Sequence, residues 1–153
     1  MQKSILIAVS VALISGLAIG IQSSLISVAG KITGATLTGL LVNFLGGAAA
    51  GLVLTVIYIR QGNTAFSGIQ IPTIGMIFTA GLLGIAIITG IAFSLPKTGI
   101  AAGLAAIIAG QMIVAVLVDT FGLGGADPIP LNWTRVIGLL LLVLGTWAIL
   151  PKE

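Results

Sequence analysis

Cysteine and histidine are both absent from the chain, and only three acids stand against six basic residues. Without cysteine there is neither a disulfide framework nor thiolate chemistry. Without histidine the commonest general base and metal ligand is missing. Three acids leave hydrolytic or metal-dependent catalysis almost nothing to work with, so no catalytic residue, metal site or cofactor is expected, and the chain is not read as an enzyme. The six basic residues are scattered singly, which excludes a nucleic-acid surface. What fills the space is apolar: 58% of the residues are hydrophobic and 6% charged, with a mean hydropathy of +1.30. Such a chain cannot cover a water-soluble globule with polar groups. It is read as an all-α integral membrane protein whose first partner is the lipid bilayer.

The stretch from Gly99 to Gly122 is long enough to cross a bilayer as a helix, since about 20 residues at roughly 1.5 Å rise span about 30 Å. Gly99, Gly103, Ala106 and Gly110 follow at steps of four, three and four, a small-residue face that another helix can approach closely. Four further spans complete a single membrane domain over residues 1–153: about 5–28, 35–59, 72–93, 99–121 and 133–150. The first could be a signal peptide with Lys3 as its basic start, but its apolar run far exceeds an h-region of about 7 to 15 residues, which favours a retained helix. Gly30 to Gly34 reads as a turn, and Gly47 with Gly51 forms a second small-residue patch. Pro72 suits the first turn of the third helix. Ser94 to Thr98 reads as a tight hairpin connection, Gly124-Gly125, Pro128 and Pro130 as a clear break, and Asn132 as a cap for the fifth helix.

Few polar residues interrupt these spans. Gln111 falls near the middle of the fourth, where an amide needs a partner or a cavity. Gln22 and Asn43 sit somewhat off centre, toward the side of Lys31. Each suits either a site or the role of hydrogen-bonding glue between helices. Asp119 ends the fourth helix and Arg135 begins the fifth on the same side, an arrangement that favours an interfacial ion pair stapling the loop.

Five spans put Lys3, Arg60 and Arg135 on one side and Lys31, Lys97 and Lys152 on the other, three against three. Because the basic bias between short loops sets orientation, a chain without bias is expected to insert both ways and pair as an antiparallel homodimer. The alternative is chance balance in a chain with few charges. Dual insertion turns five helices into ten in an inverted-repeat plan, with a substrate site near the midplane. There Gln111 approaches its own copy, while Asp119 is duplicated at opposite surfaces.

Several segments carry a family resemblance: Gly81-Leu82-Leu83-Gly84, Gly110-Gln111, Asp119-x-Phe121-Gly122, and Arg135 with Gly138 in the second half, Gln22 and Asn43-Phe44-Leu45-x-Gly47 in the first. On these the chain resembles the small YdcZ-like proteins, also called the DUF606 family, within the drug/metabolite transporter superfamily. It departs from the family pattern at Ile26, where an asparagine is usual, and at Asn43, where a small hydroxyl residue is usual. The resemblance implies a bacterial inner-membrane transporter related to small multidrug transporters and occurring as dimers, paired genes or fused repeats. It implies no particular substrate.

Three functions remain in order of preference. The first is a secondary transporter, read as an exporter, rocking around a midplane cavity lined by Gln111 with Gln22 and Asn43. Lacking a buried carboxylate, such a cavity suits neutral or zwitterionic solutes. The second is a small dual-topology channel, and the third a non-transporting scaffold or subunit.

Overall fold

The computed structural model describes residues 2–62, 69–123 and 127–151, with side chains from Ile5 onward. Five helices follow in order: α1 Gln2–Thr33, α2 Ala35–Gln61, α3 Ile71–Thr98, α4 Ile100–Phe121 and α5 Trp133–Ile149. The first four are long and apolar enough to cross a membrane, α1 through its segment Ile5–Thr33. The apolar α5 has 17 residues, about 25 Å of rise, near the lower limit for a span. The expected break at Gly124-Gly125 and the residue Lys152 lie outside the described residues, as does the middle of the α2–α3 loop.

Two expected connections prove much shorter than the sequence suggests. Lys31, Ile32 and Thr33 continue α1, and Ser94 to Thr98 continue α3 with Pro96 inside the helix. Each turn shrinks to one glycine: Gly34 at φ 82°, ψ 153° and Gly99 at φ 80°, ψ 155°. Only a residue without a Cβ adopts that backbone readily. The backbone bonds that flank each glycine are made. Gly34 N donates to Gly30 O at 3.1 Å and Thr38 N to Gly34 O at 3.0 Å, while Gly99 N donates to Leu95 O and Gly103 N to Gly99 O, both at 3.0 Å. The hydroxyl before each break bonds back one turn, Thr33 to Ala29 O and Thr98 to Ser94 O, both at 3.1 Å. Two separate helix connections therefore use the same single-glycine turn.

The remaining local signals have plain causes. Pro72 is the second residue of α3, where its missing N–H had no intrahelical partner. Asn132 caps α5: its side-chain oxygen accepts from Arg135 N at 2.9 Å and from the Thr134 hydroxyl at 2.7 Å.

The chain forms two compact units, residues 25–93 and residues 1–24 with 94–153. Within the first, α1 meets α3 where Gly30 faces Ala92, and α2 meets α3 where Gly39 faces Thr89 and Asn43 faces Gly84. As α2 advances from Gly39 to Asn43, α3 retreats from Thr89 to Gly84, so the two helices pack antiparallel. Ile26, Ser27, Thr38, Ile91 and Ala92 are buried here, and the Thr33 and Thr38 hydroxyls bridge the Gly34 break at 2.6 Å. Within the second unit α4 packs on α5, Gly103 tucks under Leu95 and Thr98, and Ser23, Leu95, Ala102 and Ala109 are buried. Small and polar residues thus make the inner contacts. Leu6, Leu17, Ile32, Phe44, Ile59, Phe78 and Trp133 stand at least two-thirds exposed. Exposed apolar side chains of this kind are suited to lipid.

Candidate substrate site

Asn43 is held by two backbone carbonyls. Its Nδ2 donates to Gly39 O on its own helix at 2.8 Å and reaches Gly84 O on α3 at 3.5 Å, the outer limit of a hydrogen bond. The second contact exists because Gly39 lets Thr89 approach closely and because Gly84 has no side chain of its own. Oδ1 lies on the same side, 3.3 Å from the point where a Cβ on Gly84 would stand.

Past Asn43 the helices stop closing on each other. Gly46, Gly47 and Gly81 have nothing within 4 Å of a built Cβ, and a hollow of about 740 Å³ opens between Leu40, Asn43, Phe44, Gly46, Gly47, Ala50, Gly81 and Ile85. Its lining is apolar apart from the Asn43 amide and carries no charge. Gly81 and Phe44 line it and Gly84 O meets Asn43 beside it, although the sequence marks them only as members of Gly81-Leu82-Leu83-Gly84 and of the segment after Asn43.

The other polar residues are placed differently. Gln111 is exposed and stands nine residues from buried Ala102, half a revolution around α4. Gln22 is exposed beside buried Ser23. Neither glutamine has a side-chain hydrogen bond among the described residues, and none joins Gln22, Asn43 and Gln111. Of the small-residue positions, Gly103 is in close contact, Gly99 forms the turn, and Gly47, Gly51 and Gly110 have open space beside them. Ala106 is exposed. Ser23 Oγ is a polar atom that sequence reasoning misses: it is buried without a partner among the described residues, whereas Ser10, Ser15 and Ser24 bond back to their own helix.

At the far end of α4, Asp119 Oδ2 accepts from Arg135 Nη2 at 3.3 Å. The Asp119 carbonyl also accepts from Ile129 N at 2.9 Å, which ties the loop back to the helix end. No group of residues able to hold a metal ion occurs among those described.

A family model described as "Putative inner membrane exporter, YdcZ" matches residues 7–148, a span that touches all five helices. The chain belongs to the YdcZ-like family. Membership in the YdcZ-like (DUF606) family makes it a multi-pass protein of the inner membrane and sets it among membrane transporters. Searches of curated proteins and of solved structures found no match.

Proposed function

We propose that this YdcZ-like chain is a secondary transporter that exports neutral or zwitterionic small molecules by alternating access, working as an antiparallel homodimer of five-span protomers. The hollow around Asn43 carries this reading. Asn43 lies about 12 Å along α2 from the Gly34 break, Gln111 about 16 Å along α4 from the Gly99 break and Gln22 about 16 Å along α1 from Thr33, each about half of a core about 30 Å thick. The added turn of α1 moves Gln22 closer to the midplane than an end at Val28 would. The two single-glycine hinges supply points where hairpins can tilt without breaking a helical ladder. The even split of basic residues supports insertion in both orientations.

Efflux from proteoliposomes tests the reading. Vesicles loaded with a mixture of neutral and zwitterionic solutes are expected to show saturable, protein-dependent efflux of some of them. Asn43→Ala is expected to slow it about tenfold, the worth of one net hydrogen bond. Proton-coupled efflux of tetraphenylphosphonium, a permanent monocation, would overturn the assignment, because no carboxylate lies deep in the spans to balance such a charge.

A further inference from the structure

The groove between α4 and α5 has one charged end and a long apolar floor. At the charged end Arg135 gives Asp119 a single contact of 3.3 Å rather than a paired fork, and its Nη1 is buried with no partner among the described residues. A guanidinium offers five donors in a plane, so most of this one's capacity is unspent. An unsatisfied buried donor is costly and rare. The side chain as a whole is 26% exposed, although Nη1 itself is buried.

Below it two hollows run into one another. The first, about 270 Å³, is lined by Met112, Ala115, Val116, Asp119, Arg135, Gly138, Leu139 and Leu142. The second, about 400 Å³, shares Gly138 and Leu142 and continues to Gly145 and Ile149. On α5 the floor of the second hollow follows Gly138, Leu142, Gly145 and Ile149 at steps of four, three and four, a single helical stripe. Neither Gly138 nor Gly145 has an atom within 4 Å of a built Cβ. From Arg135 to Ile149 the groove is about 21 Å long, against about 15 Å for the hydrocarbon depth of one leaflet.

The hollow follows one stripe of α5 for roughly 16 Å from Gly138 to Ile149, a length that an acyl chain covers, and charge points to the occupant. The whole sequence holds only three acids, of which Asp119 is already at the site. A counter-anion for Arg135 therefore comes most readily from outside the protein, and a bilayer surface supplies phosphates at this depth.

We propose that the α4–α5 groove binds one anionic glycerophospholipid, its phosphate on the donors of Arg135 that Asp119 leaves free and one acyl chain lying over Gly138, Leu142 and Gly145. The guanidinium turns toward the groove mouth on binding, and Nη1 gains its acceptor. Asp119 holds the arginine in place from the other side. This site is separate from the hollow around Asn43 in residues and in ligand.

Native mass spectrometry of the purified, delipidated full chain tests it, with phosphatidylglycerol and phosphatidylcholine as probes. The expected result is retention of one phosphatidylglycerol per chain, about tenfold preferred over phosphatidylcholine, as for one charge-assisted contact. Arg135→Gln should abolish the preference and Arg135→Lys restore part of it. Gly145→Leu, which fills the floor without touching the charged end, should lower retention of both lipids while thermal unfolding shows a folded chain. Equal retention by wild type, Arg135→Gln and Gly145→Leu would overturn the proposal. Displacement of the lipid by millimolar inorganic phosphate would also overturn it, reducing the site to an anion site without a chain groove. Protection of Gly145→Cys from thiol labelling by a second protein copy, with no lipid bound, would overturn it in favour of a dimer contact.

Discussion

The carbonyl oxygen of Ala92 lies 2.7 Å from the point where a Cβ on Gly30 would stand. Pro96 sits four residues beyond Ala92 and has no N–H to give that carbonyl, so the proline frees the group that α1 then approaches. A Cα–H···O contact across this gap is the natural consequence of so close an approach.

Gly30→Ala is therefore expected to lower stability by about 1 to 3 kcal/mol, because the added methyl meets backbone rather than a movable side chain. Gly16→Ala, where nothing lies within 4 Å, should not lower it. Thermal unfolding of both variants in detergent makes the comparison.

A second close approach allows partial repair. A Cβ on Gly39 would collide with the Thr89 hydroxyl and come within 3.0 Å of Thr89 Cα. Gly39→Ala should destabilise by a similar amount, and adding Thr89→Ala should recover part of the loss by removing the hydroxyl. A double-mutant cycle in the same unfolding assay reads the coupling.

Gly34 and Gly99 hold the same backbone conformation for the same reason. Gly34→Ala and Gly99→Ala should each cost about 1 to 3 kcal/mol, the range for a residue forced into a disfavoured region. If the hinges serve transport as proposed, each should also slow efflux more than an equally destabilising change at Gly30. Parallel measurements of unfolding and efflux separate the two effects.

The Asp119–Arg135 pair should contribute little to stability. With side chains 45% and 26% exposed, its coupling is expected at about 0.2 to 1 kcal/mol and should shrink as salt is raised. Asn132→Ala, which removes the cap of α5, should cost more, about 0.5 to 2 kcal/mol. A cycle of Asp119→Asn and Arg135→Gln beside the single Asn132→Ala variant ranks them.

The helices themselves were legible because apolar runs near 20 residues admit few other structures, and the α5 start was legible because Asn132 precedes an unbroken run. Their ends were harder. Lys31 to Thr33 and Ser94 to Thr98 look like loop by composition, yet every one of them tolerates helical backbone and only the glycine after them takes a positive φ. Pro96 reads as a stop, but in the last turn of a helix its missing N–H frees just one carbonyl. The candidate site was legible only in part. Asn43 stands out as a lone amide in an apolar run, whereas the hollow beside it depends on Gly47 and Gly81 falling opposite one another on antiparallel helices. No pattern within one helix contains that register. The direction in which Gln111 points was likewise beyond periodicity, because the small-residue face of Gly99, Gly103, Ala106 and Gly110 only partly matches the buried side of α4, where Ala102, Gly103 and Ala109 are buried while Ala106 and Gly110 are exposed.

The proposed antiparallel carrier rests on orientation, and the chain's lack of cysteine makes orientation measurable. Leu131→Cys places one thiol in the exposed α4–α5 connection, at a residue 54% exposed. Intact cells are treated with a membrane-impermeant thiol reagent and the labelled fraction is compared with that after permeabilisation. The account predicts about half of the chains labelled from outside and the rest only after permeabilisation. Labelling of all chains, or of none, from outside would establish one fixed topology and contradict the symmetric carrier.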